Sequence, residues 1–164
     1  MTDRLQRYFV IYEAAHRTRM CRISHVIGIP LILFTTYAAL DWIPLFEVPG
    51  TGGFTFSFGH LWYLGMLVWY SRLSLGLTAL MAAIGVGVFA LSPLVPWPVV
   101  AAVWGGAWVV QLSGHLVWEG NRPAFFESYA QMYIGPIFFL ALLLSLWPVD
   151  RAAPAAASPP APGT

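Results

Sequence analysis

The sequence QLSGHLVWEGNRPA, residues 111–124, lies where a long apolar run gives way to polar residues. It places His115 and Glu119 four residues apart, so that both side chains leave the same face of a helix. An imidazole and a carboxylate in this arrangement can bind one metal ion, or they can form a hydrogen bond with each other. The remainder of the chain has to decide between these two arrangements.

The composition is that of an integral membrane protein. Of the 164 residues, 59% are hydrophobic and only 9% are charged, and the mean hydropathy is +0.70. A soluble domain is roughly one quarter charged, so this chain has too few charges to cover a surface in water. Cys21 is the only cysteine, which excludes an internal disulfide and a CxxC metal site. We expect the lipid bilayer, and not a nucleic acid, to be the partner of this chain.

The distribution of apolar residues predicts an all-α fold, a polytopic membrane helical bundle. Residues 3–17 have apolar side chains at helical spacing, which predicts an N-terminal amphipathic helix on the membrane surface. Five membrane spans are predicted at residues 23–40, 54–71, 73–91, 97–118 and 131–147. Pro136 lies inside the last span and is expected to kink it. Residues 1–148 are predicted to form one membrane-embedded domain, and the Ala/Pro-rich tail 149–164 is expected to be disordered.

The positions of the arginines predict the orientation in the membrane. Five of the eight arginines precede residue 23, Arg72 follows the second predicted span, and Arg122 follows the fourth. The connections 41–53 and 92–97 contain neither Arg nor Lys. The positive-inside rule therefore places the N-terminus in the cytoplasm. The membrane is expected to be a bacterial inner membrane or the endoplasmic reticulum.

This topology brings three of the four histidines to one membrane depth. His16 and His25 flank the cytoplasmic start of the first span, and His115 with Glu119 lies at the cytoplasmic end of the fourth. Three imidazoles and a carboxylate suit Fe(II), with Zn(II) and Mn(II) as alternatives. An open coordination position on such a metal would allow chemistry on dioxygen.

The convergence of the first two histidines requires a break in the helix. His16 and His25 are nine residues apart, so they would point in opposite directions from one continuous helix. The segment 18–24 is the predicted place of the break, because the surface helix has to turn into the membrane there. Ser24 is predicted to cap the helix that follows.

Several of these residues can also be interpreted as structural residues that take no part in catalysis or metal binding. The clustered histidines can be interfacial polar residues, and His60 is interpreted in this way. Arg122 can hold the carboxylate of a fatty acid whose tail lies between the helices, or it can be a positively charged anchor at the cytoplasmic face. Glu119 can pair with Arg122, and Cys21 is interpreted as an inert thiol.

Two patterns in the chain resemble a known family. They are Tyr8…Tyr12…His16…His25-Val26-Ile27-Gly28-Ile29-Pro30 and Gln111…Gly114-His115…Glu119…Arg122-Pro123-Ala124…Gln131…Pro136. Together they resemble the endoplasmic-reticulum 2-hydroxy fatty acid dioxygenases of fungal phytosphingosine breakdown and their bacterial relatives. The resemblance extends from about residue 8 to residue 140.

The resemblance implies an Fe(II)-dependent membrane enzyme that uses dioxygen to shorten a 2-hydroxy fatty acid by one carbon, a step of α-oxidation. It assigns the metal and catalytic roles to His16, His25, His115 and Glu119, and it assigns substrate binding to Arg122. The chain departs from the family between the first two histidines, where it has Thr18 and Cys21 in place of asparagines, and around Leu142, where a carboxylate is missing.

Two other classes of protein remain open on the sequence. One is a haem-binding helical bundle with His16 or His25 and His115 as axial ligands. The other is a non-catalytic membrane scaffold or small transporter. The predicted spans have no charged residue at mid-membrane, where transport sites are usually found, and this argues against transport.

Overall fold

A computed structural model describes residues 2–120, 122–123 and 129–147, and this part of the chain is mostly helical. The helices and strands, in chain order, are α1 (Asp3–Ala14), α2 (Arg19–Asp41), β1 (Pro44–Glu47), β2 (Thr55–Ser57), α3 (Phe58–Ser71), α4 (Leu75–Leu91), α5 (Trp97–Ser113) and α6 (Tyr129–Leu143). A 3₁₀ turn, Ser92–Leu94, follows α4, and a π-helical turn, Gly114–Glu119, continues α5. The tail 149–164, which is predicted to be disordered, lies outside the described residues.

Among the described residues, three helical segments are long and apolar enough to cross a membrane. They are α2, α4 with the turn that follows it to Leu94, and α5 with its π-helical continuation to Glu119. The helices α3 and α6 have 14 and 15 residues, which is shorter than the roughly 20 residues that a perpendicular span needs. Three of the five predicted spans therefore reach the length of a bilayer within the described residues.

The chain uses the residues before α3 for a β-hairpin, which the all-helical prediction misses. Strands β1 and β2 pair antiparallel, and Phe46 stacks on Phe56 with a centroid distance of 5.1 Å. Gly50 and Gly53 have positive φ angles in the connecting turn, where side chains with a Cβ would be strained. The hairpin explains why α3 begins at Phe58 and is shorter than the predicted span 54–71.

Helix α1 is shorter than predicted and packs against the protein. Its apolar residues Leu5 and Phe9 are completely buried, and the ring of Phe9 packs edge-on against Phe138 of α6 at 5.1 Å. The apolar face of this amphipathic helix thus packs against α6. The prediction expected that face to lie on the membrane surface instead.

The start of α2 differs from the prediction in a way that matters for the site. Thr18 is the N-cap, and its hydroxyl accepts a hydrogen bond from the backbone N–H of Cys21. The predicted cap, Ser24, lies inside α2 and donates its hydroxyl to the Cys21 carbonyl at 2.7 Å, as serine commonly does within a helix. The break between α1 and α2 therefore falls at residues 15–18.

Candidate metal centre

Three buried imidazoles meet at one end of the helical bundle. His16 lies in the link between α1 and α2, His25 in the second turn of α2, and His115 in the π-helical turn after α5. The ring centroids are 4.4 Å apart for His16 and His25, and 4.7 Å apart for each of the other two pairs. Each side chain is at most 2% exposed. The structure thus brings together the three histidines that the sequence places at one depth.

Local backbone structure accounts for this convergence. The break before α2 turns His16 back toward His25, since α1 ends at Ala14 and Thr18 starts the next helix. Gly114 allows α5 to approach α2, because a Cβ at this position would clash with the Ser24 hydroxyl and would lie 3.4 Å from Cε1 of His25. A glycine is therefore needed next to His115 for the two helices to come this close.

The hydrogen bonds of two histidines fix which ring nitrogen can bind a metal. Nδ1 of His16 lies 2.5 Å from the Tyr12 carbonyl, and Nδ1 of His25 lies 2.8 Å from the Cys21 carbonyl. A carbonyl only accepts, so each Nδ1 carries the proton and each Nε2 keeps a free lone pair. This second-sphere arrangement is typical of histidines that ligate metals.

Two nitrogens of the cluster are buried without a hydrogen-bond partner among the described residues. They are Nε2 of His16 and Nδ1 of His115. An unpaired buried polar atom costs about 1–3 kcal/mol, and a metal ion would satisfy both nitrogens at once. The donor set of three imidazoles thus fits a bound transition metal.

Burial also keeps the cluster in the form that binds metals. Desolvation, reinforced by the neighbouring imidazole of His25, lowers the pKa of His16 well below its ordinary value. His16 is therefore neutral at pH 7, and a neutral imidazole is the form that ligates a metal. The ring of His16 stacks on Tyr12 at 4.0 Å, and burial raises the pKa of the Tyr12 hydroxyl far enough for it to stay protonated.

Cys21 belongs to the same cluster, although its interpretation from the sequence is an inert thiol. Its sulfur and one nitrogen each of His16, His25 and His115 all lie within 4.8 Å of one another. Its Sγ is 3.7 Å from Nδ1 of His25, which is the nitrogen that already donates to a carbonyl. The spacing of Cys21 and His25, four residues apart in one helix, is the sequence signal that could have indicated this proximity.

Glu119 lies beside the cluster and binds the backbone at the start of α2. Its Oε1 accepts a hydrogen bond of 2.7 Å from the N–H of Thr18, and its carboxylate also lies beside the Cys21 thiol. Glu119 is not among the described side chains whose ligand atoms fall within 4.8 Å of one another. A carboxylate is favourable at a helix N-terminus, and the role of Glu119 as a metal ligand stays a prediction.

The fourth histidine and the arginine predicted to bind substrate are not part of the buried cluster. Arg122 is exposed, and no ion pair joins it to Glu119 within the part of the chain that the structure describes. His60 lies near the hairpin, with Nδ1 at 3.4 Å from Asp41 and its ring stacked on Phe89. The substrate-binding role of Arg122 stays a prediction.

A cavity of about 380 Å³ opens next to the three imidazoles, which is within the size range of small-molecule sites. One face of α2 lines it from His25 to Leu40, and these sixteen residues of α-helix span roughly 22 Å. Phe58 and Trp62 of α3 also line the cavity. The walls are mostly apolar, so the cavity suits a long hydrocarbon chain whose polar end reaches the histidines.

A comparison with models of protein families gives a match over most of the chain. A family model described as 2-hydroxy-palmitic acid dioxygenase Mpo1-like matches residues 2–146, which includes all three histidines of the cluster. Neither the curated proteins nor the solved structures contain a significant match to this chain.

Proposed function

Since the chain belongs to the Mpo1-like family of 2-hydroxy-palmitic acid dioxygenases, we propose that it is an Fe(II)-dependent membrane enzyme that shortens 2-hydroxy fatty acids by one carbon. The observation that carries this proposal is the group of three buried imidazoles at the end of a long apolar cavity. The reaction consumes a 2-hydroxy acid and dioxygen, and it yields the acid that is one carbon shorter, with carbon dioxide and water. This is one step of α-oxidation.

His16, His25 and His115 are the residues that would hold the iron. Imidazole suits iron, and the unpaired buried nitrogens of His16 and His115 support a bound ion. Bound Fe(II) would supply the redox chemistry that joins dioxygen to the substrate. The ring centroids are 4.4–4.7 Å apart, which leaves no room for a porphyrin between two rings and favours a single ion over haem.

The protein itself contributes orientation and a dry environment. The carbonyls of Tyr12 and Cys21 hold the Nδ1 protons of His16 and His25, so the opposite nitrogens stay available. The apolar walls between α2, α3 and α5 would receive the hydrocarbon tail and exclude water from the reacting end. Tight packing of the tail converts binding energy into orientation of the head group.

The proposed location of the centre is the cytoplasmic face of the membrane. The cluster lies at the N-terminal end of α2 and at the C-terminal end of the α5 segment. Five arginines precede residue 23, and the positive-inside rule assigns that end to the cytoplasm. A fatty acid that enters from the bilayer would reach the cavity sideways, between the helices.

The metal content of anaerobically purified protein tests this proposal. We expect about one iron per chain, no Soret band, and oxygen uptake on addition of 2-hydroxypalmitic acid. His115→Ala should lose the iron and the oxygen uptake. His60→Ala is the matched control, because it removes a histidine outside the cluster and should keep both.

Other outcomes of this measurement would contradict specific parts of the proposal. A folded wild-type protein that takes up no iron after anaerobic reloading would contradict the metal centre. A Soret band that His115→Ala removes would indicate haem instead. Iron binding without oxygen uptake for any 2-hydroxy acid would contradict the proposed reaction but not the metal site.

A further inference from the structure

We infer that Gln111 and Gln131 bind the polar head of the 2-hydroxy acid, with their amides holding its hydroxyl and carboxylate groups at the histidine end of the cavity. This inference rests on the proposed function for the identity of the ligand. Both side chains line the cavity, and they are only 9% and 4% exposed. The Oε1 atom of each is buried without a hydrogen-bond partner among the described residues.

Unpaired amides in an apolar cavity need an explanation. Each unsatisfied buried polar atom costs free energy, and native proteins have few of them. In the part of the chain that the structure describes, four cavity-lining side chains each have a buried atom without a hydrogen-bond partner, namely His16, His115, Gln111 and Gln131. A metal ion satisfies the two imidazoles, whereas an amide oxygen is satisfied by a hydrogen-bond donor such as the hydroxyl of a 2-hydroxy acid.

The two amides lie at the same end of the cavity as the imidazoles. Gln111 is one helical turn before His115, and it packs on Gly28, where a Cβ would come within 2.6 Å of its Oε1. Gly28 therefore leaves space for this amide one turn after His25. On α6, Gln131 is one turn before Gly135, which packs against the Tyr12 hydroxyl.

This arrangement can recognise both groups of the head. A glutamine amide has an acceptor oxygen and two N–H donors, and rotation of the amide interchanges them. The oxygen can accept from the 2-hydroxyl while the N–H groups donate to the carboxylate. A site built to bind a hydroxyl rejects an analogue without it, because its buried groups are then left unpaired.

The test measures binding of two acids to metal-free and iron-loaded protein under anaerobic conditions. The acids are 2-hydroxypalmitic acid and palmitic acid, and the signal is the change in tryptophan fluorescence, because three of the eight tryptophans, Trp62, Trp104 and Trp108, line the cavity. Gln111→Met and Gln131→Met should each weaken binding of the hydroxy acid by on the order of tenfold. They should weaken binding of palmitic acid less. The matched control Gln6→Met changes an exposed glutamine of α1 and should bind both acids like wild type.

A second pair of variants covers the case in which methionine disturbs folding. Gln111→Glu and Gln131→Glu keep the shape and polarity of the side chain but oppose the carboxylate of the ligand, so they should weaken binding of both acids. Wild-type affinity in folded Met and Glu variants, with a loss in Arg122→Met, would overturn the inference and assign the head to Arg122. Equal losses of both acids in the Met variants would overturn the contact with the hydroxyl.

Measurement of iron content and oxygen uptake on the same variants separates this inference from the proposed function. Glutamine-dependent binding of the hydroxy acid to metal-free protein, without iron uptake or turnover, would support the inference and contradict the enzyme. Normal iron content and turnover in all four glutamine variants would support the enzyme and contradict the inference.

Discussion

Replacing Glu119 with glutamine should weaken the anchoring of α2 by about 1–2 kcal/mol and leave iron bound. The carboxylate accepts a hydrogen bond of 2.7 Å from the N–H of Thr18. Hydrogen bonds to a charged group contribute about 1.5–3 kcal/mol and neutral ones about 0.5–1.5 kcal/mol. Glutamine keeps the acceptor and loses the charge, and with it roughly 0.3–1 kcal/mol of interaction with the helix dipole.

Glu119→Ala removes the acceptor as well, so its cost should be larger, about 1.5–3 kcal/mol for the lost bond. The link that carries His16 then loses its attachment to the end of the α5 segment. Loss of a residue that orients metal ligands typically lowers metal affinity by about 10–100-fold. The expected order of iron affinity is therefore wild type, then Glu119→Gln, then Glu119→Ala, with His115→Ala lowest.

Iron titration of metal-free protein in one detergent measures this order, and thermal unfolding of the same samples measures the anchoring. A folded Glu119→Gln protein that loses iron as completely as His115→Ala would refute the reasoning. That result would make Glu119 a ligand, as the sequence predicts, because an amide is a much poorer ligand for iron than a carboxylate.

Three further predictions concern the cluster and the cavity. Gly114→Ala should destabilise the protein by about 1–3 kcal/mol through overpacking and should reduce its iron content. Gly106→Ala is the control, because Gly106 has open space around it, and this variant should be neutral or stabilising in thermal unfolding. Cys21→Ser should keep its iron, because the thiol faces the protonated nitrogen of His25, and iron loss in this variant would make Cys21 a ligand. Leu40→Phe should shift the preferred acyl chain to shorter lengths in an oxygen-uptake assay across 2-hydroxy acids, and an unchanged optimum would show that the tail does not reach Leu40.

The sequence predicts the long helices and the position of the histidines well, because both follow from strong signals. The apolar runs that become α2, α4 and the α5 segment, with the turns that extend the last two, cover 20 or more residues, which is the length and composition expected of membrane-spanning helices. Connections with and without an arginine alternate along the sequence, and this pattern predicts that the start of the first span and the end of the fourth lie on one side. The meeting of His25 with His115 follows from this topology without any knowledge of side-chain packing.

The details of the site depend on choices between local alternatives that the sequence leaves nearly equal. Thr18 and Ser24 are both good N-caps, and the choice of Thr18 extends α2 upstream and brings Cys21 onto the face of His25. Glu119 has an imidazole four residues before it, yet its carboxylate binds a backbone N–H about one hundred residues earlier. Such long-range contacts depend on how α2 and α5 pack, which local periodicity does not encode.

The cavity and the metal centre share one rigid element, and this coupling has a consequence for specificity. One face of α2 carries His25 near its start, Gly28 one turn later and Leu40 near its end. The proposed metal ligand His25, the space for the Gln111 amide and the end of the cavity at Leu40 therefore lie along a single helix. The carboxylate of Glu119 fixes the start of this helix. A substrate whose tail is longer than the distance from the imidazoles to Leu40 would have its head displaced from the imidazoles, because the rigid helix α2 fixes that distance. Chain length and reactivity should therefore change together in variants of α2, whereas variants of α4, which does not line this cavity among the described residues, should affect stability alone.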